Sequence, residues 1–348
     1  MMREAIEAKW IDCFRKSFEM SGVSTGEIIA ILSESQSRQV LVDLSELALL
    51  AIGARPVHIR VPSPKIKDPV PLRSTGSSYA MKGYESIIPA LSACDLIIDC
   101  TVEGMLHSKE LQTILASGGR VYMISNEHPE IVERCMPNIG LRSKVEESLK
   151  LLDRSKKMEV TSKNGTQLLV EINDAPCRAG AGYLLPEEKV AYWPAGLALF
   201  FPLSNTVNGQ VVLAPGDINL TFKRYFETAV TLIIENDFVT DIKGDGLDAD
   251  PMRSYYESWN DPNAYAISHV GWGLNKDARW DSLVMYDKQQ INGTELRAFA
   301  GNFLISTGAN EFANRHTSCH FDLPMRGCSI RLDGAMIVKD GTLCGPLS

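Results

Sequence analysis

Over roughly the first 140 residues, short apolar runs alternate with helical stretches, and this alternation restricts the possible folds more than any other feature. Residues 56–61, 95–99 and 119–124 read as strands, with helical patterns around 84–92 and 109–116 between them. Such an alternation predicts a mostly parallel sheet, because each parallel crossover needs a connection of helix length. Upstream, Ile6, Trp10, Phe14 and Phe18 recur every fourth residue and predict a helix ending near Gly22. Ser24 and Glu27 have the spacing of a capping box ahead of the apolar run 28–32, which predicts a second helix there. Ligands of parallel sheets gather beyond the carboxyl ends of the strands, which directs attention to residues 100–107 and to His107.

A charged stretch, 142–157, reads as a connecting helix, and the pattern then changes. Asn164-Gly165 separates the runs 158–162 and 167–172, the signature of a tight hairpin. Hairpin-like material continues from 197 to 242, with turns expected at Asn208-Gly209 and Pro215-Gly216. The expected architecture is an α/β domain over 1–150, then an α+β domain rich in antiparallel strands over 151–348.

Composition narrows the functional classes. The chain of 348 residues is 45% apolar with a formal charge of -8 and no run of Lys or Arg, which argues against a nucleic-acid surface. No apolar stretch reaches the ~18 residues of a membrane span, and the acidic opening does not resemble a signal peptide. Eight scattered cysteines without a C-x-x-C pair read as free thiols of a cytoplasmic protein. Gly180-Ala181-Gly182 lacks the third glycine of a dinucleotide fingerprint, and the acidic residues of 245–250 miss calcium-loop spacing.

One segment carries ligand chemistry. Residues 314–324 read N-R-H-T-S-C-H-F-D-L-P, in a chain with six histidines. Thr317, Asp322 and Pro324 oppose a helix, so the segment reads as extended. Alternate residues of a strand share a face ~6.5–7 Å apart, so His320 and Asp322 can converge on one ion, while Cys319 points the other way. One further histidine would complete a set of two histidines and one carboxylate, which leaves positions open for oxygen and substrate on ferrous iron. His58, inside a strand, and His128, before Pro129, read as structural. His269, in an apolar strand running into glycines, stands as a candidate on these grounds and no more.

The stretches 267–274 (ISHVGWGL), 297–304 (RAFAGNFL) with Ser306-Thr307-Gly308, and 319–324 (CHFDLP) resemble the ferrous 2,5-dihydroxypyridine 5,6-dioxygenases, as does 102–107 (VEGMLH). The resemblance implies a scaffold shared with thermophilic metallo-aminopeptidases, with residues 151–348 forming the metal-binding catalytic domain. It implies Fe(II) held by His269, His320 and Asp322, with His107 and Arg297 lining the pocket. The expected partners are O2 and a hydroxylated pyridine, opened to N-formylmaleamate, with the chain assembled as a homo-oligomer. Tyr192 stands where the family pattern has an imidazole and joins His107 and Arg297 as a catalytic candidate. Trp193, Asn302 and Glu311 are the candidate substrate-binding residues. The rival reading, a metallo-aminopeptidase or related hydrolase, needs two metals and bridging carboxylates. Around His320 only Asp322, with Glu311 as a possible second, offers one.

Overall fold

The computed structural model describes residues 5–65, 79–106 and 108–348, so the expectation for His107 lies outside the described residues. The first half carries strands β1 (Ile28–Glu34), β2 (Arg55–Val61), β3 (Leu96–Asp99) and β4 (Val121–Ile124). Before, between and after them run helices α1 (Ala8–Met20), α2 (Gln39–Ile52), α3 (Ile88–Ser92), α4 (Lys109–Ala116), α5 (Pro129–Arg134) and α6 (Ile139–Arg154). Strands β5 (Lys157–Ser162), β6 (Gln167–Glu171), β7 (Cys177–Gly180), β8 (Val190–Trp193), β9 (Leu197–Phe200) and β10 (Val207–Leu213) follow. The short pair β11 (Ile218–Asn219) and β12 (Arg224–Tyr225) precedes β13 (Val230–Glu235), β14 (Phe238–Lys243) and helix α7 (Gly246–Trp259). The chain continues through β15 (Ile267–Gly273), α8 (Ser282–Met285) and α9 (Thr294–Ala298). It ends with β16 (Phe303–Asn310), β17 (Arg315–Met325), β18 (Cys328–Leu332), β19 (Ala335–Lys339) and β20 (Thr342–Leu343). No described helix is long and apolar enough to cross a membrane.

The parallel sheet has the order β2-β1-β3-β4-β8. Its interior strand β1 occupies the run that the capping-box spacing assigned to a helix. Ser24 and Glu27 do form half of that box, the Ser24 N–H donating to Glu27 Oε2 at 2.7 Å, but the turn leads into a strand. Ile28-Ile29-Ala30-Ile31-Leu32 is buried from its second residue onward and pairs with a parallel neighbour on each side. A continuous apolar, isoleucine-rich run covered on both faces is the pattern of an interior parallel strand, and two ladders of backbone bonds outweigh a local capping signal. Trp10, Phe14 and Phe18 of α1 pack on this sheet, whereas Ile6 lies outside the helix and is exposed. Each fully buried aromatic contributes roughly 1.5–3 kcal/mol.

β8 pairs parallel to β4, so the last strand of this sheet comes from beyond the composition change near residue 150. The other half is antiparallel: an eight-stranded sheet β14-β13-β10-β6-β5-β18-β19-β20 and a five-stranded sheet β17-β16-β15-β9-β7 enclose the largest core. Asn164-Gly165 turns the β5–β6 hairpin as expected, but Asn208-Gly209 is not a turn. Gly209 sits inside β10 with φ +133°, and a Cβ there would meet the Gln167 carbonyl oxygen at 2.1 Å. The glycine serves a close strand approach rather than a reversal.

Candidate metal centre

The five-stranded sheet builds the site by register. His269 of β15 lies opposite Ser306 of β16, and Ser306 lies opposite Asp322 of β17. His320, two residues before Asp322, shares its face and sits opposite Gly308. Gly308 has φ +119°, and a Cβ there would strike the Cys319 carbonyl oxygen at 2.0 Å, so only glycine fits beside this strand. On the reverse face, Cys319, Phe321 and Leu323 pack into the core with Val270 and Trp272. Cys319 therefore points away from the site, and His316 is exposed beside Asn314.

One nitrogen from each imidazole and one Asp322 oxygen all lie within 4.8 Å of one another, and all three residues are buried. His320 Nε2 is 3.2 Å and His269 Nε2 3.8 Å from Asp322 Oδ1, and the two rings stand 5.3 Å apart at 39°. Ser306 Oγ donates to the same oxygen, while Arg297 Nε donates to Oδ2 at 2.5 Å. Burial by itself would raise the Asp322 pKa. The Arg297 guanidinium and the two imidazoles overcome that and hold its carboxyl well below the usual carboxylate range. The set is compact, one-sided and carries a permanent carboxylate, which suits one divalent first-row ion with positions left open.

Around this centre the expected residues separate. Arg297, at the end of α9, bonds Asp322, and its Nη atoms make no hydrogen bond to a described residue. Tyr192 is close enough to Arg297 for that charge to act on it. Burial nevertheless pushes its phenol up to about 12, so the hydroxyl stays protonated. The Tyr192 ring fills the space a Cβ at Gly180 would take, which explains that glycine without any dinucleotide role. Trp193, its neighbour in β8, faces the other way. It is fully buried against Phe14, and its Nε1 donates to the Cys135 carbonyl at 2.8 Å, an environment of packing rather than a pocket wall. Asn302 is equally buried: Nδ2 donates to the Arg297 carbonyl at 2.7 Å and Oδ1 accepts from the Gly273 N–H at 2.9 Å. It shapes the chain that carries Arg297. Glu311 is exposed at the β16–β17 turn and is not one of the three clustered residues. His58 pairs with Glu46 on the surface and His128 caps α5, as their local sequences suggested.

Sequence reasoning missed two neighbours. Ser306 was legible in principle, since it shares the alternating face of β16 with Gly308. Phe201, whose ring meets His269 edge-on at 5.7 Å and Phe312 at 5.1 Å, follows directly on β9 and carried no local signal.

Fold and site define a protein on the thermophilic metallo-aminopeptidase scaffold whose described residues hold one His-His-Asp cluster with a single carboxylate. Wild-type AmpT from Thermus thermophilus matches with a TM-score of 0.66 over 98% of this chain and 100% of that one, at 12% identity, a likeness of fold alone. A family model described as 2,5-dihydroxypyridine 5,6-dioxygenase matches residues 9–345. A curated 2,5-dihydroxypyridine 5,6-dioxygenase from Pseudomonas putida KT2440 is 32% identical over 345 residues, 97% of each chain. The solved structure of 2,5-dihydroxypyridine dioxygenase from the same organism has a TM-score of 0.91 at 30% identity, covering 99% of both chains. The chain belongs to the 2,5-dihydroxypyridine 5,6-dioxygenase family and is a ring-cleaving dioxygenase.

Proposed function

We propose that this protein opens 2,5-dihydroxypyridine between C5 and C6, placing both atoms of O2 in N-formylmaleamate, and that it does so with Fe(II) held by His269, His320 and Asp322. The observation that carries the reading is the convergence of two imidazoles and one carboxylate from one sheet face within 4.8 Å, in a chain of this family. Fe(II) bound there supplies the spin coupling that lets triplet oxygen react with a singlet ring, and three ligands on one side leave room for both partners.

The remaining work falls to the chain's own groups. In this proposal the Arg297 guanidinium binds an anionic ring oxygen through its Nη atoms, a role supported by Nε holding Asp322. Tyr192, protonated up to about pH 12, acts as a hydrogen-bond donor rather than a base, so it replaces the family imidazole in contact but not in proton acceptance. His107 is proposed as the group that exchanges a proton with a ring hydroxyl. Phe201 gives the His269 side of the site an apolar wall suited to a flat ring. A two-metal hydrolase finds no support, because the one cluster among the described residues has a single carboxylate to bridge with. Residence in the cytoplasm and assembly into a homo-oligomer belong to the same proposal and rest on the family resemblance.

The test is anaerobic loading with Fe(II), then oxygen uptake on 2,5-dihydroxypyridine beside peptide substrates. One O2 consumed per ring opened, abolished in His320→Ala, is expected. Uptake that survives that substitution sinks the iron assignment, and peptide cleavage with Zn(II) or Co(II) without uptake moves the protein to the hydrolases.

A further inference from the structure

Arg297 reaches Asp322 from α9, a helix of five residues that is too short to hold its own position. What fixes it is the loop after β4, in the parallel sheet. Glu127 there is fully buried and accepts three backbone N–H groups: Asn292 through Oε2, and Gly293 and Thr294 through Oε1, each at 2.8 Å. Flanking bonds fasten the same two segments, with Ser125 Oγ 2.6 Å from Thr294 Oγ1 and the His128 N–H donating to the Gln290 carbonyl at 2.8 Å. Lys223 Nζ donates to the Ile291 carbonyl, and Asn292 Nδ2 donates to the Val102 carbonyl at 2.8 Å. Behind α9, Leu296 packs on Ile131 of α5 and on Leu220, whose N–H donates to the Asp322 carbonyl at 3.3 Å.

We propose that Glu127 is a positioning residue for the metal centre: it clamps the start of α9 so that Arg297 meets Asp322, which couples the parallel sheet to the metal ligands of the other half. The inference rests on the His269–His320–Asp322 reading of the centre. A carboxylate satisfied by three N–H donors fixes the loop through charge-assisted bonds. Glu127→Gln keeps the size but loses the charge and turns an amide N–H2 toward one of those donors. The guanidinium then loses its fixed approach to Asp322, and the ligand is less well oriented. Outer partners of metal ligands typically change metal affinity about 10–100-fold.

Co(II), which binds such sites without consuming oxygen, is the probe, titrated against a chelator. Glu127→Gln is expected to weaken Co(II) binding about 10-fold. The control is Asp248→Asn, at a buried carboxylate that bonds neither Arg297 nor any of the three cluster residues, pairing with Arg224 and accepting from the Glu227 and Thr228 N–H groups and the Thr228 hydroxyl. That variant should melt earlier yet bind Co(II) as the wild type does. In an Arg297→Gln background, Glu127→Gln should add nothing further, because it acts through that arginine. A folded Glu127→Gln that binds Co(II) as tightly as wild type, or losses that multiply in the double variant, overturns the proposal. If Glu127→Gln does not melt cooperatively, Glu127→Asp, which keeps the charge but shortens the reach, is read by the same criteria. Should His320→Ala bind Co(II) like wild type, the metal centre itself is misassigned, an outcome separate from failure of the clamp.

Discussion

The carboxylate of Asp322 is divided between two tasks: Oδ2 takes the Arg297 Nε–H at 2.5 Å, while Oδ1 faces His320 Nε2 at 3.2 Å. Because one oxygen is bound to the guanidinium, the other is turned toward the imidazoles before any ion arrives. Preorganisation of this kind saves the cost of orienting the ligand on binding.

Arg297→Ala therefore affects more than substrate contact. It leaves Asp322 buried without its cation, so the metal-free protein should lose about 3 kcal/mol or more in urea unfolding. Metal affinity should fall about 10–100-fold. An affinity equal to wild type with only KM raised would make Arg297 a substrate residue alone.

Trp193→Phe separates packing from substrate contact. The substitution strands the Cys135 carbonyl and leaves a small void, costing about 1–3 kcal/mol. The melting temperature should drop while KM for the pyridine stays within a factor of two or so of wild type. A large rise in KM would return Trp193 to the pocket.

Cys319→Ala tests the strand's two faces. The thiol lies in the core, its pKa pushed up to about 12 by burial despite the Tyr255 hydroxyl. Loss of a small buried side chain should cost about 1 kcal/mol of stability and leave Co(II) stoichiometry and affinity unchanged. A changed cobalt spectrum with a lost sulfur band would mean that the thiol is a ligand.

Asp99 supplies a pH dependence. Burial raises its pKa to about 6, helped by nearby Glu34 and opposed by hydrogen bonds from Thr101 and Met105. The folded value lies above the unfolded one, so the native state holds this proton more tightly. The stabilisation is full below about pH 4 and is lost as pH rises through about 6, a change of about 3 kcal/mol. The stability of Asp99→Asn relative to wild type should rise by most of that amount between pH 4 and 7.5. A flat difference across that range would mean Asp99 ionises as it does in the unfolded chain.

Much of this protein is written locally. The alternation of side chains along 315–325 was enough to put His320 and Asp322 on one face and Cys319 on the other, because a period of two belongs to the extended backbone itself. The hairpin at Asn164-Gly165 and the helix built on Trp10, Phe14 and Phe18 follow from equally local rules. The run 28–32 shows where those rules stop: its capping signal was sound, yet two neighbouring strands offered more bonds than a helix could. Residue types alone left His269 only a candidate. Its place opposite Ser306 depends on the register between β15 and β16, which is set by packing across the whole sheet. Tyr192 and Trp193 are adjacent in sequence, but one lies near Arg297 and the other in the core, since only the docking of β8 against β4 decides which face meets which layer. His320 and Asp322 were legible in the sequence as a pair, and the convergence of His269 on them, with the buried bracket behind Arg297, belongs to the tertiary structure because those contacts join segments far apart in the chain.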